Sequence, residues 1–310
     1  MDWKTGWNVL RQTAKEFIDD NALRLSAALA YYSVFSLAPL LIITMAVAGA
    51  LFGEEAARGR LDDQLRQGLG ASGAFAIQDM VAHARKPGDN LLAGIVGVLM
   101  LLFGAGGVFG QLQDALNTIW GVKTKSGRGL LGLIKDRFLS FTMVLGTAFL
   151  LLTSMVLTAA LEAMSKHAET IIHLPAQVWA VMGVVVSFSV ITLLFAAIFQ
   201  ILPDAQVKWR QVWVGAIFTS ALFVAGKFAI GWYVGREATA SAYGSAGALA
   251  LVLLWVYYSA MILLFGAEFT QVWANRQGEA IQPDADAEFI DPVKDQPDLV
   301  QDKPAQRGRA

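Results

Sequence analysis

Six long apolar runs alternate with polar segments along the 310 residues of the chain. The runs lie at about 25–52, 91–110, 138–161, 177–202, 212–235 and 246–269, and each is long enough to cross a hydrocarbon core of about 30 Å as a helix. This pattern predicts an all-α, polytopic membrane protein whose six-helix transmembrane domain occupies 25–273. Ahead of it, in residues 1–24, Trp3, Trp7, Leu10, Ala14 and Phe17 fall at spacings of four and three, one face of an amphipathic helix. Arg11, Lys15 and Asp19 lie off that stripe. Such a leader lies either in the inner membrane interface or against the ends of the bundle. Leu61, Leu65 and Leu69 give the polar 53–90 segment a helical, periplasmic reading. The Asp-, Gln- and Pro-rich stretch 274–310 reads as a disordered cytoplasmic tail.

Punctuation within the runs refines the picture. Pro39 removes a backbone donor and clashes with the carbonyl of Phe35, so a kink is expected in the first span. Tyr32 and Ser36, one turn apart, form a small polar patch just before it. Glycines at 94, 97, 104, 106, 107 and 110 allow close helix approach in the second span. Pro203 ends the fourth, and Lys208 and Arg210 open a tight turn into the fifth.

Composition agrees with the pattern: 55% of residues are hydrophobic and 16% charged, with a mean hydropathy of +0.50. Net charge is close to zero, so only the distribution of charge is informative. The leader with the loops 111–137 and 203–211 carries 11 Lys and Arg in 60 residues, against 7 in 63 for the loops of the other side. The positive-inside rule then places both termini in the cytoplasm. Eight of the nine tryptophans fall on the leader or at predicted interfaces, and only Trp255 is mid-span. With no cysteine, disulfides and thiolate chemistry are excluded. A phosphate-cradling GxxxxGK[ST] loop is absent, so ATP is not the direct energy source within this chain. His167 and His173 are six residues apart, the wrong spacing for two ligands on one helical turn. No metal and no cofactor are expected.

Candidate binding chemistry concentrates at a few polar positions in apolar surroundings. Lys227 stands in the interior of the fifth span, where a lysine costs about 2.5–3.5 kcal/mol on insertion scales. It either faces the bundle interior, within reach of Tyr32, Ser36 and the Pro39 kink, or snorkels to the outer headgroups. Gln111, Asp114 and Asn117 follow the second span at three-residue spacing, as a polar lining of a cytoplasmic mouth or as a solvated helix end. Glu268 closes the sixth span.

Four stretches carry a resemblance: LSAALAYYSVFSLAPLL at 25–41, GVFGQLQDALNTIWGV at 107–122, LPDAQVKWRQVWVGA at 202–216 and YGSAGALALVLLWVYYSAMILLFGAEFT at 243–270. They resemble the YihY/virulence factor BrkB family of bacterial inner-membrane proteins. The resemblance implies six helices in a bacterial cytoplasmic membrane and an activity that older labels give as serum resistance or a tRNA-processing ribonuclease. The residues argue against the nuclease label. Such an enzyme needs clustered carboxylates or histidines on the side where RNA is found. His83, His167 and His173 are all predicted outside, and Asp114, Asp136, Asp204 and Glu268 form no ligand motif. A non-enzymatic function with lipid partners and no nucleic acid follows. Two readings stay open: a carrier or flippase for an anionic lipid or envelope-related solute, and a non-transporting scaffold for envelope assembly.

Overall fold

Residues 3–33, 107–125, 176–236 and 244–291, with the isolated positions 53, 59, 62, 66, 74, 75 and 78, are described by the computed structural model. They are mostly helical. The leader is α1 (Trp3–Asp19), and helical residues 22–33 (α2) and 107–119 (α3) follow in chain order. Three long helices complete the set: α4 (Ala176–Ile201), α5 (Trp209–Arg236) and α6 (Gly244–Arg276). These match the fourth, fifth and sixth apolar runs to within a few residues, except that α6 continues two turns past the predicted end of its span. Val181–Ile201 and Val252–Arg276 are long and apolar enough to cross a membrane. The third run, most of the first two, Ser36, Pro39, the three histidines, nearly all of 53–90 and the tail beyond 291 lie outside the described residues.

Pro203 stops α4, and the chain reverses within a few residues into α5, so the two helices pack side by side. Aromatic rings tie the layer together. Phe195 stacks on Phe199, meets Phe223 of α5 edge-on, and Phe223 in turn meets Trp255 of α6. Leu116, Ile119 and Trp120 of the α3 region complete the core against Phe199, Leu202 and Leu264. Further along α4, toward its N-terminal end, Val181, Val184 and Val185 are apolar yet exposed. That is the surface a helix presents to hydrocarbon rather than to water.

The crossing of α5 and α6 is set by small residues. A methyl group at Gly215 would overlap the side chain of Thr270, and one at Gly266 would overlap Thr219. Each threonine sits over the other helix's glycine, and its hydroxyl donates to the carbonyl four residues back, which is the glycine of its own helix. This satisfies the hydroxyls within each helix and lets the backbones touch. Further along, Gly226 leaves room for the Tyr258 ring.

At the end of the bundle where α1 lies, the chain departs from an all-α description. Strand β1 (Val122–Thr124) pairs antiparallel with β4 (Ala287–Phe289), and β2 (Ala205–Gln206) pairs with β3 (Gln282–Pro283). The stretch 277–291, expected to be disordered, is therefore an ordered strap across this end. Its polar composition is compatible with order because its backbone groups are taken up by two turns of the bundle. The Ile290 amide donates to the Gly121 carbonyl at 2.8 Å, Lys125 donates through its amide to Asp286 at 3.0 Å, and Asp284 donates to Asp204 at 3.0 Å. Lys208 pairs with Glu279 at 2.8 Å, and Gln211 bonds the same carboxylate.

Candidate functional site

Around α1 the strap end forms a polar cluster, and its geometry begins with one residue. Asn21 adopts a left-handed conformation, φ 53°, which asparagine tolerates better than other non-glycine residues. It ends α1, and its carbonyl accepts from the amides of Arg24 and Leu25 to start α2. The sharp turn presents Asp20 toward α6. Along α1, Val9 and Thr13 are fully buried and Phe17 packs edge-on against Phe265 of α6 at 5.6 Å. Trp7, 62% exposed, Leu10 and Ile18, 67% exposed, lie on another side of the helix. The apolar stripe that the spacing singled out is thus split: Phe17 packs inward, whereas Trp7, Leu10 and Ala14 stay on the surface.

Opposite this turn sits Glu268, with a relative exposure of 0%. Counted as a carboxylate, it has no hydrogen-bond partner for either oxygen among the described residues. Acidic residues of the leader, Asp20, Glu16 and Asp19, lie near enough to act on it electrostatically. One residue earlier in α6, the Ala267 carbonyl accepts from the Trp120 indole at 3.2 Å. Nearby, Arg276 donates to Gln12 of α1 at 3.2 Å.

A second polar assembly joins α3 to the α4–α5 turn. The Asn117 amide donates to Asp204 at 3.0 Å, while its carbonyl oxygen accepts from the Asp204 backbone amide at 2.8 Å. The Thr124 hydroxyl donates to the same Asp204 oxygen at 2.7 Å. Asn117 is buried, Asp114 is exposed and Gln111 is half-buried. The structure therefore divides these three residues: Asn117 is a clamp, and Asp114 and Gln111 sit in different surroundings.

Lys227 is exposed on α5. Tyr32 is partly exposed, packs edge-on to Tyr31 and lies over Gly107. Ser36 and Pro39 lie outside the described residues. No group of three His, Asp or Glu side chains among the described residues is arranged to hold a metal.

Asp20 and Glu16 are the site residues that the sequence reading missed. Spacing could not pair Asp20 with Glu268, which lies 248 residues later in the chain. One signal was available: the pentapeptide GAIFT at 215–219 recurs as GAEFT at 266–270. The two copies form the close crossing, with Phe218 stacked on Phe269 at 3.9 Å and 18°.

The sequence profile of a family described as "Virulence factor BrkB" matches residues 13–291. A "UPF0761 membrane protein" of Alkalilimnicola ehrlichii is 31% identical over 84% of this chain and 57% of its own length. Similar proteins of that name in Psychrobacter sp. and Pseudomonas aeruginosa are 24% and 28% identical, over 48% and 62% of their lengths. The chain thus spans about half to three-fifths of the length of these curated relatives. No solved structure matches.

Proposed function

We propose that this chain, which belongs to the virulence factor BrkB family of membrane proteins, carries or flips an anionic lipid or envelope-related solute, with Lys227 as the anion contact. The observation behind this reading is the position of Lys227 on α5. Val212, Ala216, Ser220 and Phe223 follow one another at spacings of four, four and three. The first three are fully buried, and Phe223 packs between α4 and α6. Lys227 is the next member of that stripe, within about 20° of the bearing of Ser220 around the helix axis. It stands about 27 Å along α5 from Trp209. Ser220 itself is fully buried, and its hydroxyl has no partner among the described residues. Lys227 itself is exposed where that stripe runs out; a cation in the interior of a membrane helix needs an anion, and no ion pair to Lys227 occurs among the described residues.

The reading needs no catalytic step, cofactor or metal. It places the protein in the bacterial inner membrane, with the leader, the turns around 117–125 and 203–211 and the strap in the cytoplasm. Two features support that orientation: these segments share one end of the bundle, and they carry the excess of basic residues.

Reconstitution tests it. Vesicles containing the protein should translocate fluorescent phosphatidylglycerol faster than fluorescent phosphatidylcholine. Lys227→Met should lose about tenfold or more of that rate while inserting normally, and Lys227→Arg should keep part of it. A wild-type protein that moves neither lipid, or a methionine variant at full rate, would leave the scaffold reading in its place.

A further inference from the structure

We propose that the leader helix is a docking surface for acidic phospholipid: one exposed side of α1 sits among the acyl chains of the adjacent leaflet, and Lys4, Arg11 and Lys15 hold headgroup phosphates. The division of α1 into sides is the first observation. Val9, Thr13 and Phe17 face the bundle. At about 100° per residue, Leu10, Ala14, Trp7 and Ile18 fall within an arc of about 80° beyond them, and all four are exposed. Arg11, Lys4 and Lys15 occupy the next 60° or so, followed by Asn8 and Asp19, and these too are exposed. Apolar, basic and then polar is the order of sides that a helix lying in a membrane interface requires.

Depth is the second observation. Val9 clusters with Phe269 and Val272, and Val214, Phe218 and Trp273 pack on the same cluster. Trp213 adjoins Val214, Trp209 lies one turn earlier in α5, and both are exposed. Exposed tryptophans at one end of a membrane helix mark the headgroup level, so the leader lies at that level as well. There its apolar side reaches acyl chains and its basic side reaches phosphate.

Charge is the third. Lys4, Arg11 and Lys15 form no ion pair among the described residues. Glu16 lies toward the bundle and accepts from the Gln12 amide at 2.9 Å, so it is turned away from them. Phosphate is the anion that an interface supplies at this depth. A second copy of the chain fits the same surface poorly, because a two-fold contact through this side would set three cations against three. The surface is about 21 Å along α5 from Lys227, measured from Trp213, and it stands whether or not the protein transports.

With no cysteine in the sequence, each side of the helix can be labelled separately. The full-length protein, with a bimane label at Ala14→Cys or at Asn8→Cys, is reconstituted in mixed phosphatidylcholine and phosphatidylglycerol vesicles. Either one lipid or the other carries a nitroxide on its acyl chain, at equal mole fraction. The label at position 14 should be quenched by both lipids, and at low salt about twofold or more strongly by phosphatidylglycerol. The label at position 8 should be quenched little by either. Combining Lys4→Gln, Arg11→Gln and Lys15→Gln should abolish the preference while leaving quenching by phosphatidylcholine and the thermal unfolding temperature unchanged, since all three side chains are exposed. Lys4→Arg with Lys15→Arg should keep the preference, and added salt should weaken it. An unquenched label at position 14, or equal quenching at both positions, would overturn the docking of this side. Equal quenching by the two lipids in the wild type, or a preference that survives in the triple glutamine variant, would overturn the phosphate contact.

Discussion

The two copies of the GAxFT pentapeptide are nearly identical in sequence and play reciprocal parts in one crossing, yet their third residues meet opposite fates. In both, the glycine receives a threonine, the alanine is fully buried and the phenylalanine stacks on its counterpart. At the variable position, Ile217 of α5 is 49% exposed, whereas Glu268 of α6 is sealed beneath the leader. An apolar residue is left on the surface and an acid is buried, the reverse of the usual sorting. The crossing itself fixes neither outcome. What differs is a third helix, α1, which covers one copy and not the other, and which covers it with acids.

That contrast can be broken at the crossing first. Gly215→Ala and Gly266→Ala each force a Cβ into a threonine side chain and should cost roughly 1–3 kcal/mol apiece. Thermal unfolding of the detergent-solubilised protein should show two losses of similar size. A large effect at only one glycine would show that the two copies do not share the strain.

A smaller loss should mark the covered copy alone. Trp120→Phe keeps most of the buried ring but removes the indole donor to Ala267, at a cost of about 1 kcal/mol. Among the described residues the α5 copy has no equivalent bond at Ala216, so this change tests what was added to the α6 side. The smallest effect belongs to the uncovered position: Ile217→Ala should shift stability by about 0.5 kcal/mol or less. A loss comparable to that of the glycine variants would mean that Ile217 is packed in the membrane, and the asymmetry between the copies would be much weaker.

How far the chain reveals this arrangement depends on the range of each interaction. The three long helices were legible because twenty or more apolar residues in a row, bounded by Pro203 and by polar loops, leave few alternatives. The leader's helicity was legible from its spacing. Which side of it packs was not, because Val9 and Thr13 on the buried face form a weaker pattern than Trp7 and Leu10 on the exposed one. The strap escaped notice for a related reason. Strands of two or three residues have no periodicity of their own and exist here through partners more than seventy residues away. Asn117 was singled out for its polarity, but its role as a clamp depends on Asp204, 87 residues on. Glu268 was visible only as a charge at the end of a span, with its acidic neighbours hidden by distance along the chain.

The strap has one more consequence, for the order in which the chain is made. Thr124 finds its strand partner in Ala287, 163 residues later. At ribosomal rates of about 5–20 residues per second, β1 waits roughly 8–33 seconds for β4 to be synthesised. Asp204 reaches Asn117 in about half that time. The membrane end bearing the leader is therefore assembled in stages, with the Asn117–Asp204 clamp available first and the strap last. A nascent chain halted before residue 277 would hold its long helices but leave the backbone donors and acceptors of 121–125 and 205–206 open to water or to the membrane's quality-control proteases.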